Sequence, residues 1–246
     1  LQLGLSDRVV TGGVDALNTI FMYMCFSKTP AMSASGKCAP FSADADGTMM
    51  GEGGGMLTLR RLDEAERDGE PMDAVIRGIG ASSDGRSKSV YAPRPEGLAV
   101  ALQRCYELAG YSPATVGLVE AHGTGTTAGD LCETTSLKEI FSAADAGTKA
   151  WCALGSVKSQ IGHTKGAAGS AGLIKVALAL RHKALPPTAN IATPNPALGL
   201  ADSPFYLSTR ARPWIQPAGR PRPAPDSSGR VGGTTFVVAV EDYLGS

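Results

Sequence analysis

The 246-residue sequence predicts an α/β fold on three observations. From Met72 onward, short apolar stretches suited to strands alternate with longer stretches of helical period. Apolar residues make up 43% of the chain and charged residues 19%, which supports a sizeable core and argues against disorder. Glycine is frequent, at 31 residues, while aromatics reach only 6%, a balance that suits helix and sheet layers packed at close range.

The elements follow in order. Met72 to Ala81 holds Val75, Ile76 and Ile79 among small residues and reads as a strand. Pro95 to Ala109 places Leu98, Ala101, Leu102, Cys105, Tyr106 and Ala109 on one helical face, and Gly110 provides the stop. Val116 to Ala121 is a short apolar strand. Asp130 to Ala143 reads as a second helix, with Asp130 and Glu133 spaced like a capping box and Leu131, Thr134, Leu137 and Phe141 at helical intervals. Trp151 to Val157 is a third strand. A long helix runs from about Gly166 to Lys183, small-residued at its start and carrying Arg181, His182 and Lys183 at the negative end of its dipole. The proline-rich stretch Pro213 to Asp226 reads as a surface connector rather than a polyproline ligand, and Phe236 to Val240 as the final strand.

Composition excludes several function classes. Lys+Arg and Asp+Glu both number 23, so the formal net charge is +0, and no basic stripe marks a nucleic-acid surface. No apolar run is long enough to span a membrane. The start, Leu1-Gln2-Leu3-Gly4, has neither an initiator Met nor a signal-peptide pattern and reads as a cut within a longer chain. Five scattered cysteines without a CxxC pair argue against a disulfide framework or a zinc ribbon and favour a reducing cytoplasm.

Two of the three histidines stand in informative company. His122 lies in Glu120-Ala121-His122-Gly123-Thr124-Gly125-Thr126, and His163 closes Gly155-Ser156-Val157-Lys158-Ser159-Gln160-Ile161-Gly162-His163. Each follows a strand and precedes a helix, where α/β proteins place their chemistry, and two such histidines suggest one shared site. His182 reads as surface. Gly123 to Gly129 nearly matches a dinucleotide-binding loop, but its GxGxxxG spacing and the absence of a ribose-holding acid after the next strand weigh against it. Cys132 sits where a helix N-terminus could activate a thiol, yet Leu131-Cys132 also continues that helix's apolar face, which favours a buried structural role.

His122-Gly-Thr-Gly-Thr with Gly129-Asp130 and Glu133, and Val157-Lys158 through Gly162-His163, resemble the second half of β-ketoacyl synthases. So do Phe41 through Gly51-Glu52-Gly53, and Leu185-Pro186-Pro187-Thr188 with Pro194-Asn195-Pro196-Ala197. The resemblance runs in order along essentially the whole chain. Phe21 to Pro30 and Ser82 to Pro95 look more narrowly like the iterative synthases that make enediyne or polyunsaturated chains.

The resemblance implies a thiolase-like layered αβαβα fold, present in part. About 1–71 would end its N-terminal half, and about 72–246 would form its C-terminal half. It also implies a decarboxylative condensation, in which malonyl on an acyl carrier protein extends an acyl thioester held on a cysteine. His122 and His163 would polarise the malonyl thioester carbonyl, with Lys158 orienting the second histidine's surroundings and Glu133 as its acidic partner. For that pair, an ordinary structural ion pair is the other reading. Thr124 and Thr126 would hydrogen-bond the phosphopantetheine arm, or else satisfy their own loop. No cofactor would bind directly, no metal is implied, and the complete domain would be a homodimer that also contains the missing N-terminal half.

Two departures stand out. The family's nucleophilic cysteine would lie upstream of Leu1, and none of the five cysteines here has its context. The acyl-pocket glycine loop, with Gly232 and Gly233, has Gly229 and Val231 where the family carries phenylalanines, and Thr235 and Val237 in place of Asn and His. These changes keep a second class open, a non-catalytic partner of chain-length-factor type. A nucleotide-binding oxidoreductase is the third, disfavoured by the loop spacing.

Overall fold

The computed structural model describes residues 1–29, 31–85, 94–145, 147–216, 219–229 and 234–245. An antiparallel hairpin comes first, β1 (Arg8–Asp15) pairing β2 (Gly53–Arg60), with α1 (Ile20–Ser27) and a long loop between them. After α2 (Leu62–Arg67) the chain enters a six-stranded mixed sheet of order β3-β10-β9-β4-β5-β7. Its members are β3 (Val75–Ser83), β4 (Leu118–Glu120), β5 (Cys152–Gly155), β7 (Phe205–Leu207), β9 (Pro223–Gly229) and β10 (Thr234–Glu241). Strands β9, β4, β5 and β7 run parallel, while β10 is antiparallel to both of its neighbours. The helices are α3 (Pro95–Ala109), α4 (Thr127–Ala144), the single turn α5 (Lys158–Ile161) and α6 (Ala168–His182). A two-residue pair, β6 (Ala184–Leu185) with β8 (Arg212–Pro213), follows α6.

The sheet separates two cores. On one face α3 and α4 bury Leu102, Cys105, Leu137 and Phe141 against Val119, Leu154 and Phe205. On the other, Val176, Ala179 and Leu180 of α6 pack on Leu118, Ala153, Ala224 and Val240. Successive strand residues face opposite sides, so Leu118 and Glu120 look toward α6 while Val119 faces α3 and α4. A charged residue therefore ends an otherwise apolar strand on the α6 face. Two glycines of β3 let α3 approach closely, since a Cβ at Gly80 would overlap the Ala101 carbonyl and one at Gly78 the Cys105 carbonyl. Helix α3 has Pro95 in its first turn and ends on Gly110 at φ 74°.

The helix Pro95–Ala109 forms as expected, and the other elements differ at their ends. The strand expected at Met72 to Ala81 is β3, from Val75 to Ser83, and α6 begins at Ala168, after a 3-10 turn at Lys165–Ala167. The capping box at Asp130 and Glu133 does not form. Helix α4 starts a turn earlier, capped by Thr126, whose hydroxyl accepts the Gly129 N–H at 3.3 Å, and both acids point into the protein. Leu131 does not extend the buried face of α4, being 43% exposed. The larger correction concerns Pro213 to Asp226. Prolines suggested a connector throughout, but from Pro223 onward the chain is a central strand, seated between β10 and β4. Prolines 223 and 225 are tolerated because β9 pairs with β4 only at Glu120↔Asp226, which leaves few ladder donors to lose.

The hairpin joins the sheet domain through the histidine loops. Lys165 pairs with Asp15 at 3.0 Å, and its ammonium also donates to Asn18. Met50 bridges His163, and a Cβ at Gly51 would overlap the Ile161 carbonyl. Outside this junction the hairpin and α1 leave Val10, Val14, Leu17, Ile20 and Phe21 exposed.

Candidate active site

The two histidine loops leave neighbouring parallel strands. Glu120 pairs Gly155 at the carboxyl end of β4 and β5, so His122 and the turn that leads to His163 emerge side by side. Each loop is then pinned. The Ala121 N–H donates to the Gly155 carbonyl at 2.7 Å, and the Ser156 hydroxyl donates to the Gly123 carbonyl at 3.1 Å. The His163 N–H donates to the Met49 carbonyl at 2.6 Å, while the Gly51 N–H donates to His163's own carbonyl at 3.1 Å. Gly123 and Gly162 turn at φ 40° and 73°, a backbone region that glycine enters without strain. The imidazoles end 5.2 Å apart, edge to face.

Both rings are held neutral. Burial pushes His163 down to about 3, helped by the Lys158 and Lys165 charges. Burial likewise holds His122 well below the usual histidine range, with Lys158 and His163 adding to the shift. For His163 the tautomer follows from its partner: Nδ1 accepts the Lys165 N–H at 3.1 Å, so the proton of a neutral ring resides on Nε2. The buried Nδ1 of His122 has no hydrogen-bond partner among the described residues. The pair therefore offers neutral N–H donors from two partly buried rings.

Glu133 and Asp130 shape the loop that carries His122. The two Glu133 oxygens accept the His122 N–H at 2.7 Å and the Gly123 N–H at 2.8 Å. Burial raises its carboxyl above the usual glutamate range, opposed by those two donors. Asp130 accepts from Phe41 N–H at 2.8 Å and Gly125 N–H at 3.1 Å, and burial lifts it to about 7. Lys158, buried at 3% exposure, makes no direct ion pair with Glu133. Burial lowers its ammonium, against the fields of Glu120, Asp226 and Glu133. The direct pair of this cluster is Lys175 with Glu120, at 2.6 Å.

Thr124 and Thr126 lie on the loop after His122 with their hydroxyls 2.9 Å apart. Since Thr126 also caps α4, its Ala substitution is expected to cost about 1 kcal/mol in thermal unfolding. Gly232 and Gly233 lie outside the described residues. Cys132 is half-buried and pushed up to about 11, as is Cys105, and burial also raises Cys38 and Cys152. None of these four thiols is activated toward the thiolate. His182 is exposed.

The structure thus brings together His122, His163, Lys158 and Glu133 as the two loops suggested. Sequence reasoning missed Glu120, Lys175 and Asp226. The first two carried a readable signal, a lone charge in an apolar strand and a lone lysine amid the small apolar residues of a helix. Asp226 was hidden by the prolines around it.

Comparison with known proteins agrees along the chain. Residues 73–192 match the beta-ketoacyl synthase C-terminal domain and residues 1–65 its N-terminal domain. One component of the polyunsaturated fatty acid synthase of Thraustochytrium sp. is 45% identical over 244 residues, covering 97% of this chain and 9% of that protein. A ketosynthase from module 6 of the bacillaene synthase of Bacillus subtilis superimposes with a TM-score of 0.94 at 39% identity, over 97% of this chain and 43% of that one. An oxazolomycin ketosynthase domain of Streptomyces albus gives 0.92 at 36% identity, over 98% and 42%. The chain therefore spans less than half the length of the solved ketosynthases that it matches.

Proposed function

As the chain belongs to the β-ketoacyl synthase family, we propose that it supplies the charge-stabilising half of a ketosynthase site acting on malonyl and acyl thioesters. The observation that carries this reading is the pair of neutral imidazoles 5.2 Å apart, one of them fixed as the Nε2–H tautomer. In decarboxylation the bond between the malonyl Cα and its carboxylate breaks, CO2 leaves, and the electron pair becomes an enolate of the thioester. Two N–H donors already in place at the thioester oxygen stabilise that charge without reorganising. The enolate carbon then attacks an acyl thioester on a cysteine, forming the new C–C bond and releasing the cysteine thiolate.

That cysteine belongs, on this reading, to the part of the fold outside these residues, since none of the five cysteines has the family's nucleophile context and burial disfavours the thiolate at all but the exposed Cys25. The substrates arrive on the phosphopantetheine arm of an acyl carrier protein. Of the two threonine hydroxyl protons, one closes the contact between Thr124 and Thr126, which leaves one to donate to the arm. The complete domain is proposed as a cytoplasmic homodimer; no helix among the described residues is long and apolar enough to cross a membrane.

Calorimetry with malonyl-pantetheine tests the reading. His122→Ala and His163→Ala are each expected to weaken binding roughly tenfold, about the worth of one hydrogen bond. Unchanged affinity in both variants would remove the histidines from the site. The chain alone is expected to yield no condensation product, and triketides made by the purified chain would overturn the division of labour. A second reading, a non-catalytic chain-length-factor partner, draws on Thr235 and Val237, which replace Asn and His and stand in strand β10 rather than in the expected loop. A Cys flanked by small residues in the sequence preceding Leu1 would support the synthase, and a Gln there the partner.

A further inference from the structure

Beneath the histidines lies a buried charge cluster that the proposed chemistry does not use. Glu120 ends β4 two residues before His122 and is 1% exposed. One of its oxygens accepts the Val157 N–H at 2.5 Å, and the other meets the Lys175 ammonium of α6 at 2.6 Å. Val157 is the residue from which α5 starts, and α5 ends at Gly162 and His163. One carboxylate thus touches the strand that carries His122, the turn that carries His163, and the helix that follows. Lys158 from α5, Asp226 from β9 and Glu133 from α4 surround it. Asp226 is its register partner across the ladder, packed where a Cβ at Gly172 would overlap it.

We propose that the Glu120–Lys175 pair is a positioning element for the histidine site, holding the His122 and His163 loops in mutual register. This rests on reading the two histidines as the thioester-facing pair. Stability alone does not account for the pair. Removing two charges from water costs several kcal/mol per ion, and well-packed apolar residues commonly replace such a pair without loss. What apolar residues cannot replace is a fixed acceptor that ties Val157 to β4. Lys175 supplies the counter-charge that keeps this carboxylate oriented: its side chain is 9% exposed and it reaches in from α6.

The test uses the full 246-residue chain and two double variants. Glu120→Leu with Lys175→Met makes the pair apolar and removes the acceptor for Val157. Glu120→Gln with Lys175→Gln keeps a neutral hydrogen-bonded pair and that acceptor. The readouts are the imidazole nitrogen NMR spectra of His122 and His163 and the affinity for malonyl-pantetheine, with thermal unfolding to establish folding. In the apolar variant, folded, the His163 Nε2–H tautomer is expected to give way to a mixture and affinity to fall at least fivefold. The neutral pair should restore both. An apolar variant that folds with wild-type imidazole spectra and affinity would reduce the pair to packing. An apolar variant that cannot fold, beside a neutral pair that folds normally, would make it a folding requirement and equally overturn the assignment. Should the wild type bind no malonyl-pantetheine, the ketosynthase reading fails by itself, and the imidazole spectra still decide the positioning role.

Discussion

Glu133→Ala is expected to lower the stability of the chain by about 3–5 kcal/mol, measured as urea unfolding at neutral pH. The size follows from what the carboxylate holds. Its two oxygens are the acceptors of the His122 and Gly123 N–H groups, at 2.7 and 2.8 Å, in a place where it is itself only 6% exposed. Truncation leaves both donors buried without a partner, at roughly 1–3 kcal/mol each, and opens a cavity where the side chain stood. Relief of the glutamate's own desolvation returns part of this, because burial already raises its carboxyl. Glu133→Gln should lose about half as much, since one amide oxygen still accepts while the NH2 group faces a second donor. A loss below about 1 kcal/mol for the alanine variant would show that water reaches the two N–H groups.

Glu133 also marks where the sequence could and could not be read. Its helix was visible from Leu137 and Phe141 at helical spacing, and both are fully buried as that spacing requires. The spacing of Asp130 and Glu133 suggested a cap, because local pattern cannot tell a carboxylate that turns back on its own helix from one that reaches another loop. Tertiary contacts settled that choice: Asp130 reaches Phe41, 89 residues away in sequence. The histidine loops were legible for the opposite reason. A strand end, glycines and a histidine lie within a few residues of one another, so everything needed to recognise them is local. The hairpin of β1 and β2 gave no comparable signal, since Gly12, Gly13 and Gly53 to Gly55 interrupt any apolar alternation. Three of those glycines allow close approach: a Cβ at Gly12 would overlap the Gly55 carbonyl, one at Gly55 would crowd Ile174, and one at Gly13 would overlap the Gly166 carbonyl next to the His163 loop. The central strand β9 was missed because proline is a reliable breaker only where ladder hydrogen bonds are needed on both sides.

The same strand carries the second large effect, of opposite sign. Asp226→Val is expected to stabilise the chain at pH 8 by about 1–3 kcal/mol, within the range seen when buried charged groups give way to apolar ones. Asp226 is 5% exposed, and burial raises its carboxyl well above the ordinary 3.8, with Glu120 and Glu133 pushing the same way. In the unfolded chain it ionises near that ordinary value, so the folded state binds the extra proton as pH rises. Its contribution to stability is therefore fully present below about pH 4 and is lost as pH climbs toward the folded value. The gain from valine should accordingly be larger at pH 8 than at pH 5, and Asp226→Asn, which removes the titration but keeps the shape, should show the same trend. Two counter-charges, Lys158 and Lys175, oppose the shift, and the comparison of pH 5 with pH 8 weighs them. A gain that does not depend on pH, or a valine variant less stable than wild type at pH 8, would mean that the lysines hold Asp226 as a carboxylate. In that case the cluster under the histidines would carry one more negative charge, and Lys158 would be the group that it restrains.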